Sequence, residues 1–190
     1  MIGNSDGPTF KRIEFKHSDF DATRFFSSRR CKGLREIQLY YCDFPESCMR
    51  ALVSNVRSSL VSIDFSNITH DGSAPPEGLS TAVLLEQCTH LTELSIDSNA
   101  ARTFRHFGEF SRAPLRSVRL STNLLSEDIH PFVPALRLVE HLDISLSRKE
   151  NPENISRLIS ELPYLATVCI SNRDRGKLVI PDHVEFVTRW

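Results

Sequence analysis

The chain has 190 residues, 40% of them hydrophobic and 25% charged, and a formal net charge of −1. This is enough for one folded unit with a continuous core. It excludes a broad electrostatic grip on nucleic acid or anionic membrane, which needs an excess of Lys and Arg over a whole face. No apolar run reaches the roughly 18 residues of a membrane span. The opening residues, Met1 to Gly7, lack the charged-then-apolar pattern of a secretion signal. The five cysteines (Cys31, Cys42, Cys48, Cys88, Cys169) are odd in number and scattered, which suits reduced thiols, so a cytoplasmic or nuclear location is expected.

In chain order, the spacing apolar-x-x-apolar-x-apolar recurs at Phe10/Ile13/Phe15, Leu34/Ile37/Leu39, Leu60/Ile63/Phe65, Leu91/Leu94/Ile96, Leu115/Val118/Leu120, Val139/Leu142/Ile144 and Leu165/Val168/Ile170. First positions are separated by 24, 26, 31, 24, 24 and 26 residues, the quasi-fixed period of a solenoid. The period-two alternation inside each copy predicts a short strand with one buried face. The first copy follows only the polar lead Met1 to Thr9. Its strand edge is therefore open, to be covered by further repeats, another domain or an association. Arg29, Arg30, Lys32 and Arg35 read as a solvated edge where a helix turns into the second strand.

Pro45 and Glu46 suit the first turn of a helix whose stripe is Met49, Leu52, Val53 and Val56. The insertion Thr69 to Gly78 explains the longest step and reads as a rim loop. Leu79, Val83, Leu84 and Gln87-Cys88 predict another helix, whereas Ala101 to Gly108 carries aromatics without a clean stripe. Pro131 and Pro134 shorten any helix begun by Ser126 to a 3₁₀ or broken turn. Asn151-Pro152-Glu153 is a cap signal before the stripe Ile155, Leu158, Ile159, Leu162. Residues 176–190, with Leu178, Val179, Ile180, Val184, Phe186, Val187 and Trp190, read as a cap folded over the last repeat.

From about residue 10 to 173 the chain resembles the leucine-rich repeat family, whose pattern L-x-x-L-x-L-x-x-N/C-x-L is matched best by Leu91 to Asn99 and Leu115 to Asn123. The repeat length resembles the ribonuclease-inhibitor-like and cysteine-containing types, and Cys42 fits the N/C position of the second copy. The resemblance implies an α/β horseshoe arc formed by a single domain over 1–190. Its concave parallel sheet has about seven short strands, with helices or irregular turns on the convex side. Asn67 and Asn172 fall one place early, so a bulge or shifted register is expected in the third and seventh copies.

Residues between the buried strand positions point to the other face. Third positions supply Arg12, Glu36, Ser62, Glu93, Ser117, His141 and Thr167; fifth positions Glu14, Gln38, Asp64, Ser95, Arg119, Asp143 and Cys169. Lys16, Tyr40 and Asp97 are among the seventh positions. The grid is Ser-rich and mildly acidic, suited to a partner of basic character. Candidate partner-binding residues are Tyr40, Tyr41, Glu36, Asp64, Glu93, Asp97, Arg119 and Asp143, with Tyr40 as the anchor because aromatics dominate interface hot spots. Tyr41 either joins it or packs under the next loop.

No nucleophile elbow, phosphate loop, H-E-x-x-H or C-x-x-C occurs, and His141 and Asp143 two apart on a strand are commonplace. Neither catalysis nor a cofactor nor a metal is implied. The expected function is a protein-interaction scaffold, with a protein ligand on the concave face and no nucleic acid or membrane. The alternative is a positioning domain of a larger protein, such as a ubiquitin-ligase substrate arm, an innate sensor or an actin regulator, which the resemblance also allows.

Overall fold

Short strands with one apolar row bury it only by stacking on a neighbour, and stacking at a fixed period puts the rows in register. The computed structural model describes residues 9–16, 22–40, 46–66, 84–96, 112–121, 133–145, 152–171 and 178–188. They contain one open sheet of eight strands in chain order: β1 Arg12–Lys16, β2 Glu36–Tyr40, β3 Ser62–Ser66, β4 Glu93–Ile96, β5 Ser117–Ser121, β6 His141–Ser145, β7 Thr167–Ser171 and β8 Glu185–Thr188. Every pair is parallel, and equivalent repeat positions face each other, as in Ile13↔Ile37 and Leu94↔Val118. The fold is an α/β repeat solenoid.

About seven strands are expected from the sequence; the structure corrects this to eight. The additional strand, β8, lies in the segment read as a cap, where Phe186 pairs with Val168 and Thr188 with Ile170. By the same register, the first position of its repeat falls on His183, so two of the three apolar places are polar and the pattern does not show. Val184 is buried, and Leu178, Ile180 and Phe186 pack on the core.

One backbone device stitches the repeats. The carbonyl preceding each of β1 to β6 accepts two N–H groups from the next repeat, as Lys11 does from Arg35 and Glu36 at 2.9 and 3.1 Å, and Arg116 from Glu140 and His141 at 2.8 and 2.9 Å. The same contact recurs at Arg35, Val61, Thr92 and Glu140. Backbone polar groups at the strand entrance are thereby paired, as burial requires.

Between β1 and β4 and between β5 and β7 the described connections include helical segments on the core side. Helix Glu46–Val56 buries Met49, Leu52, Val53 and Val56, and helix Pro152–Glu161 buries Ile155, Leu158 and Ile159, with Leu162 just beyond. In the first repeat, a helical turn Thr23–Phe26 and a 3₁₀ turn Arg29–Cys31 precede Gly33, whose φ of +80° suits a residue without a Cβ. Phe25 stacks edge-on to Phe15 and Phe26, at 5.6 and 5.4 Å between centroids, filling the start of the core. In the fifth repeat Val133–Leu136 is an α-helical turn, not the 3₁₀ or broken turn expected. Pro134 is its second residue, where no intrahelical N–H donor is needed.

Register runs without a slip through β3 to Ser66 and through β7 to Ser171. Asn67 and Asn172, where a bulge was expected, lie outside the described residues, as do the insertion 69–78, the segment 101–108, Cys42 and Asn99. The predicted helix at 79–88 appears as a helical turn over 84–87, its earlier residues being outside.

Candidate interaction surface

Alternation along each strand sends one row into the core and the other to the open sheet face. The structure places Glu36, Asp64, Glu93, Arg119, Asp143 and Tyr40 on that face, at positions alternating with buried Ile37, Leu39, Ile63, Leu94, Val118 and Leu142. Tyr41 and Asp97 lie outside the described residues.

Charged pairs across and along the strands organise the face. Arg12 Nη1 lies 3.6 Å from Glu36 Oε2, and its other amino group donates to Gln38 Oε1 at 2.8 Å. Lys16 Nζ meets Glu14 Oε1 at 2.7 Å, and Arg119 Nε donates to Asp143 Oδ2 at 2.9 Å. The hydrogen bond from Lys16 holds the Glu14 carboxyl below its usual range and raises the Lys16 ammonium in return. Such exposed pairs contribute little stability. Their effect is to cancel charge, so the acidic excess of the grid is not spread evenly.

Tyr40 is half-buried and held from two sides. Its hydroxyl donates to Asp64 Oδ2 at 3.4 Å, and the Lys16 ammonium stands 5.6 Å from the ring centroid. Burial first, then the carboxylates of Asp64 and Glu14, raise the Tyr40 phenol above its ordinary pKa. A ring fixed in this way needs no further ordering to meet a partner.

Across the middle of the face, over β2 to β5, is a depression of about 220 Å³. Its polar lining is Gln38, Ser62, Asp64, Glu93, Ser95 and Ser117, with Arg119 at one end. Three of the candidate residues, Asp64, Glu93 and Arg119, thus share one concavity, whereas Glu36 and Asp143 are engaged by the flanking arginines. Sequence reasoning placed Gln38, Ser62, Ser95 and Ser117 on this face without singling them out. Their common feature is small or uncharged side chains beside larger ones, which is what opens the depression.

Among the described residues no group of three or more His, Cys, Asp and Glu is arranged to hold a metal ion, and no helix is long and apolar enough to cross a membrane. Cys31, Cys48 and Cys88 are buried, and Cys169 is half-buried on the open face beside Asp143; none is in a disulfide among the described residues. No family model matches the chain, and no curated protein does. One similar solved structure is a chain of the Rad7 and Elc1 complex from yeast, at 16% identity and a TM-score of 0.32, over 88% of this chain and 64% of that one.

Proposed function

We propose that the chain is a leucine-rich repeat scaffold of non-catalytic function that binds a protein partner across its open, concave sheet face. The observation that carries this reading is the face itself: strands fixed by the stacked core, ordered cross-strand pairs, and a polar depression lined by Asp64, Glu93 and Arg119. With eight strands about 4.8 Å apart, it spans roughly 34 Å, the length of an extended segment of about ten residues. The preorganised surface does not have to order on binding, so little conformational entropy opposes association. The burial of the Cys31 and Cys88 thiols suits a reducing, cytoplasmic setting.

The test is affinity capture from native extract by the wild-type chain and by an Asp64→Arg/Glu93→Arg variant whose circular dichroism is unchanged. The reading expects a partner retained by wild type and lost by the variant. Identical retention by the two would refute it and favour a positioning role within a larger protein.

A further inference from the structure

We propose a second binding surface, distinct from the open sheet face: a cationic patch along the entrances of β1 to β3 that takes a carboxylate-rich segment of a partner protein. Three stretches of sequence converge there. Arg29 and Arg30 on the 3₁₀ turn, with Lys32 and Arg35 after it, are all exposed. Lys11 joins them from the entrance of β1. Its carbonyl receives the Arg35 and Glu36 N–H groups, the neighbouring Phe10 N–H donates to Arg30 O at 3.0 Å, and its Nζ lies 3.7 Å from where a Cβ on Gly33 would stand. Arg57 joins from the following repeat, since the turn after helix Glu46–Val56 is tied to this one by Ser59 Oγ donating to Leu34 O at 2.8 Å.

What marks these cations is that six of them gather in one place without being neutralised, whereas Arg24, Arg112 and Arg137 belong to other turns. Arg12, Lys16, Arg116, Arg119 and Arg157 each form an ion pair within the fold. Among the described residues no acidic side chain pairs with Lys11, Arg29, Arg30, Lys32, Arg35 or Arg57. In a chain of net charge −1, such a concentration creates a local field that an anion from outside is left to satisfy.

The size and borders of the patch select the anion. Along the strand-entrance rim the residues after Lys11 and Arg35 are Val61, Thr92 and then Arg116, which is already paired with Glu140. The cationic part therefore crosses three strands, about 10 Å, the reach of three or four extended residues. A long polyanion would continue onto Glu14, Glu36, Asp64 and Glu93 of the adjoining sheet face. Phe10 and Phe25 are half-buried, packed against the core and on each other, which occupies ring faces on which bases would stack. A short run of Asp and Glu fits; a nucleic acid strand does not.

The experiment uses the full chain and a fluorescent peptide of about eight glutamates, read by anisotropy at low and at physiological salt, with a single-stranded oligonucleotide of about 20 nucleotides as comparison. The peptide is expected to bind, with an affinity that falls as salt rises. Arg29→Glu/Arg30→Glu/Lys32→Glu should weaken it about tenfold or more, the neutral Arg29→Gln/Arg30→Gln/Lys32→Gln should weaken it less, and Arg137→Glu, on another exposed turn, should leave it unchanged. The glutamine variant keeps the test valid if the reversal fails to fold. Loss of peptide binding without loss of open-face partner capture would separate this site from the proposed function. The proposal is overturned if the peptide does not bind, if both patch variants bind it like wild type, or if the oligonucleotide binds more tightly than the peptide.

Discussion

Cys88 follows the helical turn at 84–87 and is fully buried, its N–H donating to Leu84 O at 2.9 Å. Desolvation disfavours the thiolate and pushes the thiol from a reference value of 9.0 up to about 12. In the unfolded chain the same thiol ionises near 9. Between these values the unfolded state has released a proton that the folded state retains, so stability is full below pH about 9 and falls as pH rises. The slope is about 1.4 kcal/mol per pH unit, flattening above about 12. Burial shifts Cys31 in the same direction. Urea unfolding at pH about 8 and about 10.5 should show a smaller alkaline loss for Cys88→Ala than for wild type. Equal losses would mean that this thiol does not govern the alkaline limb.

At the scale of elements, the helical segments are joined to one another as well as to the sheet. Asn55, near the end of helix Glu46–Val56, donates its Nδ2 to the carbonyl of Phe26 at 2.6 Å. Phe26 is the last residue of the turn Thr23–Phe26, so its carbonyl has no helical partner ahead of it. Asn55→Ala removes that donor from a part-buried acceptor and should cost about 1–3 kcal/mol in chemical denaturation. Ser54→Ala, one residue away, breaks only an exposed bond to Ala51 O and should cost little; equal effects would refute the linking role. This bond was not legible in the sequence, because it joins positions 29 residues apart that no periodic pattern relates. The first seven strands were legible, because an apolar row at period two has only one way to be buried, and so were Met49 to Val56 and Ile155 to Leu162, which are long enough to complete a stripe; β8, with polar residues at two of its three apolar places, was not. Thr23–Phe26 was not, since four residues cannot show a helical period. The open-face grid could be read from alternation, and even Arg119–Asp143 joins equal positions of neighbouring repeats. The depression between Asp64, Glu93 and Arg119 could not, because it depends on side-chain volumes across four strands.

Across the whole molecule, each repeat touches chiefly its sequence neighbours, so stability is passed along the array rather than held by one closed core. The hydrophobic cluster runs from Ile13 to Val184 without a break, yet its last member is the least regular. β8 has an alternating exposed and half-buried pattern, Val187 is 38% exposed, and Thr188 stands where the other repeats carry an apolar residue. Interior strands have partners on both sides, whereas β8 ends the described sheet order. Native-state hydrogen exchange should therefore rise stepwise toward that end, with β3 to β6 amides the slowest and those of β8 the fastest. Phe186→Ala removes packing from the end repeat only. It should speed exchange strongly in β8, moderately in β7, and hardly at all in β3 and β4. If the substitution instead raises exchange by one common factor in every strand, the chain unfolds as a single closed unit and the additive picture of stacked repeats fails.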